Sequence, residues 1–83
     1  MTRKENKQLY IELLSKVTSR FTAEYADKVK VARPDLKFST ITNVRYGRSP
    51  KLDVLIFMIR TDIPQFNIPE KFLKAEQELQ PAA

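Results

Sequence analysis

Cysteine and histidine do not occur in these 83 residues, and glycine occurs once, at Gly47. Each absence excludes something. Without cysteine there is no disulfide and no thiolate nucleophile. Without either residue the usual zinc ligand sets cannot be assembled, and the commonest acid–base side chain is missing. A single glycine cannot build a glycine-rich phosphate loop. The carboxylates are scattered over what read as wet helix faces, with no close pair forced by spacing. The expectation is a protein that is not an enzyme and that needs no cofactor or metal. Long apolar runs are also lacking. The longest, within Leu52–Ile59, is too short to cross a bilayer. The charged start MTRKENKQ is followed by no apolar h-region, so neither a signal peptide nor a membrane partner is expected, and the cytoplasm is the default compartment.

What is present is 42% hydrophobic and 30% charged residues, a balance that fits one helical domain over residues 1–83 with a modest core. Formal net charge is +5. Its placement is more informative than its size. Lys28, Lys30, Arg33, Lys37, Arg45, Arg48, Lys51 and Arg60 share their stretch with only Asp35 and Asp53, so residues 28–60 carry +6 and the remainder −1. A field of that kind favours a polyanionic partner.

Apolar spacing and stop signals divide the chain. Residues 1–7 are polar and expected to fray. Tyr10, Leu14, Val17 and Phe21 recur at helical spacing and predict a first helix over Gln8–Arg20, with Glu12 and Lys16 paired on its wet side. Thr22 reads as the N-cap of a second helix, whose inner face is Tyr25, Val29 and Ala32 and which Pro34 ends. Pro34-Asp35 reads as a turn, with Leu36 and Phe38 anchoring it. Ser39 is the next N-cap, before a short helix Thr40–Tyr46 that turns Ile41 and Val44 inward and stops at Gly47. Ser49 and Pro50 open a fourth, buried helix that Arg60 closes, with Phe57 as a large core residue. Thr61–Pro69 reads as a loop that tucks Ile63 and Phe66 onto the core. Pro69 starts a last helix to Leu79, with Phe72, Ala75 and Leu79 on one side, before a loose Pro81-Ala82-Ala83 tail.

The fold expected is all-α, a small bundle of about five helices containing a helix-turn-helix at about residues 22–48. An α+β alternative stays open. Lys28–Val31 and Phe38–Tyr46 also alternate, and Leu52–Ile59 would serve as a buried strand, giving three strands flanked by helices.

The polar short helix carries the functional reading. A helix entering the major groove needs short polar side chains and a few long ones. Asn pairs with adenine, Arg with guanine, and the Thr methyl meets the thymine methyl. Thr40, Thr42, Asn43 and Arg45 supply these groups, while Lys37, Arg48 and Lys51 flank them where phosphates would lie. The segment Phe38–Ile59, with Ser39, Thr40, Ile41, Thr42, Asn43, Val44, Gly47 and Arg48 in order, resembles the second half of a lambda-repressor-like helix-turn-helix domain. Short bacterial DNA-binding-like proteins with an N-V-x-x-G-R-S segment look similar too. The resemblance implies a recognition helix at Thr40–Tyr46 with Thr40, Thr42, Asn43 and Tyr46 toward the groove. The chain departs from that class where Asp35, after Pro34, stands in place of the turn glycine, and Tyr25-Ala26 lies too far upstream for its apolar–Ala pair.

The sequence thus points to double-stranded DNA binding by a transcriptional regulator through Lys37, Ser39, Thr40, Thr42, Asn43, Arg45, Tyr46, Arg48 and Lys51. A homodimer is compatible with that role. The alternative is a protein-interaction adaptor or antitoxin-like module, with an acidic protein as partner and Tyr46 and Phe66 as candidate exposed apolar contacts.

Overall fold

A computed structural model of the protein describes residues 3–79. It contains five helices, α1 Arg3–Val17, α2 Tyr25–Ala32, α3 Phe38–Arg45, α4 Leu52–Asp62 and α5 Glu70–Leu79, and no strand among the described residues. The α+β alternative is thereby removed. The alternation over Phe38–Tyr46 lost to the three-residue spacing of Ile41 and Val44, both fully buried on one side of α3. Such spacing suits a helix, whereas a strand would send these two to opposite faces.

The architecture follows from α4. Its side chains Leu52, Val54, Leu55, Ile56, Met58 and Ile59 are buried almost all round. A helix that apolar has to be enclosed, and α1, α2, α3 and α5 all pack against it. Tyr10, Leu13 and Val17 reach it from α1, Val29 from α2, and Phe72 and Ala75 from α5. Ile63 is buried beyond the end of α4, and Phe66 packs on the cluster from the loop. Phe57, expected deep inside, is only partly buried at the edge, with the Arg33 guanidinium over its ring at 5.6 Å.

Several boundaries differ from those expected. Residues 3–7 belong to α1, which starts five residues earlier and ends three earlier than predicted. Lys4, Glu5, Lys7 and Gln8 are good helix formers and need no apolar stripe to extend a helix that is docked further along. Glu12 pairs across to Lys71 of α5 rather than along its own helix to Lys16. Ala32 is exposed, and Ala26 packs inward in its place. The three hydroxyl caps are not caps. The N-cap positions of α2, α3 and α4 are Glu24, Lys37 and Lys51, none with a capping side-chain hydrogen bond, and Ser39 lies inside α3. Pro50 precedes the N-cap of α4 instead of occupying its first turn. Arg60 lies inside α4, which continues to Asp62.

Thr22 has a different task. Its amide and hydroxyl both donate to the Asp62 carboxylate, at 2.8 and 2.6 Å, and the Lys28 ammonium approaches the same group at 3.2 Å. The end of α4 is thus pinned to the start of α2 across forty residues of chain. The Pro81-Ala82-Ala83 tail and the side chain of Leu79 lie outside the described residues.

Candidate nucleic-acid interface

Helix α3 is held at three places. Ile41 and Val44 enter the core. The Tyr10 hydroxyl, buried under α3, donates to the Val44 carbonyl at 2.5 Å. Burial pushes the Tyr10 phenol up, so it keeps the proton it donates. Beyond the helix the chain turns at Gly47, where φ is +83°. The Gly47 amide donates to the Val44 carbonyl at 3.4 Å and the Arg48 amide to the Asn43 carbonyl at 2.8 Å. That pairing is a Schellman motif, and the left-handed residue it requires is the chain's one glycine. The expectation of a glycine stop holds for this physical reason.

The connection from α2 is clamped by Lys30. Its ammonium donates to the Pro34 and Leu36 carbonyls at 2.8 and 2.6 Å and lies 5.6 Å from the Phe38 ring centroid. Arg33 closes on Asp35 at 2.7 Å within the same turn. The turn predicted at Pro34-Asp35 is present. It is tied by cations to its own carbonyls and carboxylate, with no glycine in it.

With Ile41 and Val44 inward, the opposite side of α3 presents Ser39 and Tyr46, both exposed, and Thr42 and Asn43, both half-buried. Thr40 is half-buried on the flank. The Thr42 hydroxyl donates back to the Phe38 carbonyl at 3.0 Å, so its methyl is the group left to meet a partner.

The basic residues sort into two groups. Five of the eight in residues 28–60 are engaged within the protein. Lys28 is on Asp62, Arg33 on Asp35 and Arg60 on Glu76, while Lys30 holds the turn. The fifth is Arg45, expected at a base edge or a phosphate. It turns instead toward the end of α1 and the start of α2. Its Nη1 donates to the Thr18 hydroxyl at 2.6 Å, and its guanidinium carbon lies 5.1, 5.6 and 5.2 Å from the ring centroids of Phe21, Tyr25 and Tyr46. The cation is held by aromatic faces. Burial raises the Tyr25 phenol, the adjacent Tyr46 raises it further, and the Arg45 charge partly opposes both. Lys37, Arg48 and Lys51 are exposed, and their side chains have no ion pair or hydrogen bond among the described residues. One stands at the start of α3 and two follow its end.

Sequence reasoning missed Thr18, Phe21 and Tyr25 as the partners of Arg45, and Lys30 as the clamp of the turn. The four-residue spacing of Phe21 and Tyr25, whose rings lie 5.7 Å apart, was the available signal, but no periodicity connects those rings to Arg45. The described residues contain no pocket and no group of acidic side chains gathered as a metal ion would require. No helix is long and apolar enough to cross a membrane. No protein-family model, curated protein or solved structure matches this chain.

Proposed function

We propose that this protein binds double-stranded DNA, with α3 as the helix laid in the major groove, and acts as a transcriptional regulator of the helix-turn-helix kind. The observation that carries the reading is the sorting of its cations. Most basic residues of the central stretch are occupied inside the protein, and those left free, Lys37, Arg48 and Lys51, bracket α3, whose outward face is polar. In this reading they meet phosphates. The start of α3 adds to the field, having no side-chain cap and no acid in its first turn, which leaves the positive end of its dipole open to an anion. Asn43 is the residue placed to read a base, as adenine. Thr42 contributes a methyl, Ser39, Thr40 and Tyr46 line the contact, and Arg45 supports it from behind.

The test is a salt titration with a selected duplex and a random one. Three phosphate contacts predict that log K falls with log salt at a slope of about −3. Arg48→Ala and Lys51→Ala should each flatten it by about one unit on both duplexes, and Asn43→Ala should cost about 1–3 kcal/mol on the selected duplex alone. A parent protein that binds no duplex near physiological salt removes the DNA reading.

The adaptor reading keeps one specific observation in its favour. Phe38 and Tyr46, at the two ends of α3, are 48% and 61% exposed, an arrangement that also suits an acidic partner with apolar anchors. Phe66, the other residue expected to serve it, is partly buried on the core with Arg20 over its ring.

A further inference from the structure

Tyr46 is the largest exposed side chain on the presented side of α3, and it stands at the residue that ends the helix. An exposed aromatic there would ordinarily sample several rotamers. Here one face of its ring lies against the Arg45 guanidinium, 5.2 Å from its centroid, and the same guanidinium is packed on Phe21 and Tyr25 and hydrogen-bonded to Thr18. Phe21 and Tyr25 are in turn partly buried against the core. A chain of contacts therefore runs from the core, through the two inner rings and Arg45, to the outermost ring of the recognition surface.

We propose that Arg45 is a positioning residue for that surface: it holds the Tyr46 ring in one orientation before a partner arrives, and acts on binding through Tyr46 without touching the partner itself. The inference rests on the DNA reading above for its partner and on the cation–aromatic geometry for its mechanism. Two features favour Arg over any other residue. Its planar guanidinium can stack on several rings at once, and it stays charged at every accessible pH. Its Nε is buried without a hydrogen-bond partner, so that packing on rings supplements the one hydrogen bond that Nη1 makes to Thr18. The phenols of Tyr25 and Tyr46 lie next to each other in the same cluster.

Three variants test it: Arg45→Met, which keeps length and apolar contact but removes charge; Arg45→Lys, which keeps charge but not the plane; and Tyr46→Ala. Circular dichroism first establishes that each is folded. The primary readout is the chemical shift and line width of the Tyr46 ring protons in the free protein. In Arg45→Met these should move toward free-tyrosine values with averaging, and Arg45→Lys should fall between. The second readout is a double-mutant cycle on the selected duplex. Arg45→Met should weaken binding about fivefold or more in the parent and have no effect in the Tyr46→Ala background. The salt slope should stay as in the parent, because no phosphate contact is lost.

Unchanged Tyr46 ring signals in Arg45→Met overturn the proposal. A salt slope reduced by about one unit also overturns it, since Arg45 would then meet a phosphate itself. If Arg45→Met does not fold, Arg45→Lys is judged by the same ring signals and the same cycle. A parent that binds no duplex defeats the DNA reading, and the ring signals alone then decide whether Arg45 holds Tyr46.

Discussion

Between Phe38 and Asp62 two consecutive helices are built on different chemistry. Helix α3 buries Ile41 and Val44 and little else, whereas α4 buries Leu52, Val54, Leu55, Ile56, Met58 and Ile59. Both rely on neighbours, since neither eight nor eleven residues make a stable helix in isolation. The difference lies in how the neighbours are used. Helix α4 is secured along its whole length by packing. Helix α3 is secured at its ends and by one further anchor: the Lys30 clamp before it, the Gly47 turn after it, and the Tyr10 hydroxyl on the Val44 carbonyl. The outer side of α3 is thereby released from any duty to the fold. Substitutions in α4 should therefore lower stability, and substitutions on the outer side of α3 should leave it nearly unchanged.

The comparison is tested hardest in α4. Leu55→Ala empties a site with no exposure and should cost about 2–5 kcal/mol, enough to unfold much of a small domain. A denaturation midpoint close to the parent's would mean that α4 is not the centre of the core. Phe57→Ala, at the edge of the same helix, should cost less, roughly 1–2 kcal/mol.

Asp62 comes next, because it ties the buried helix to the start of α2. Burial alone would raise its carboxyl pKa, but the Thr22 hydroxyl and amide and the Lys28 ammonium outweigh burial and hold it below the ordinary aspartate value. Its stabilising contribution is therefore complete above the ordinary aspartate range and is lost as pH falls through the lowered value. Asp62→Asn should cost about 1.5–3 kcal/mol at neutral pH, the range for hydrogen bonds to charged groups. The deficit should shrink on acidification. A deficit that is constant with pH would show that the carboxylate charge is not what joins α2 to α4.

Smaller effects are expected where α3 ends. An Ala side chain at Gly47 would meet only Leu14 Cδ2, at an ordinary 3.6 Å. The cost of Gly47→Ala is then conformational, from the positive φ, at roughly 1 kcal/mol. Gly47→Asn should be milder, since Asn tolerates that region. Equal losses for both would indicate crowding instead of backbone strain. Smallest of all is Ser49→Ala. Because Lys51 and not Ser49 stands at the N-cap of α4, thermal unfolding should change by less than about 0.5 kcal/mol. A loss near 1 kcal/mol would restore Ser49 as a cap.

The helical class and the number of helices were legible in the chain, as were the inward Ile41 and Val44 and the turn at Gly47. These rest on local spacing or on a single residue type with a special backbone preference. Helix starts were misread at Thr22, Ser39 and Ser49: Ser39 lies inside α3, Ser49 stands two residues before the N-cap of α4, and the Thr22 hydroxyl is engaged elsewhere. Thr22 is claimed by Asp62, forty positions away. Arg45 was misread for a related reason. Of the rings that capture it only Tyr46 is its neighbour in sequence, and Phe21 and Tyr25 lie 24 and 20 positions upstream. At the level of composition, the basic excess of residues 28–60 could not show which charges were already paired. Only the folded arrangement separates Lys37, Arg48 and Lys51 from the rest.

The Asn43 carbonyl has a consequence for the proposed DNA contact. It accepts the Arg48 amide at 2.8 Å and the Ser49 amide at 3.2 Å. The peptide unit after the outward-facing asparagine is thus fixed in the free protein. Ordering a backbone residue costs about 1–2 kcal/mol, and here that loss is incurred in folding. A partner meeting Asn43 has only side-chain rotation left to restrict. Calorimetry should then record a small negative heat-capacity change, scaled to the surface that the two partners cover, without the large negative increment that accompanies coupled folding.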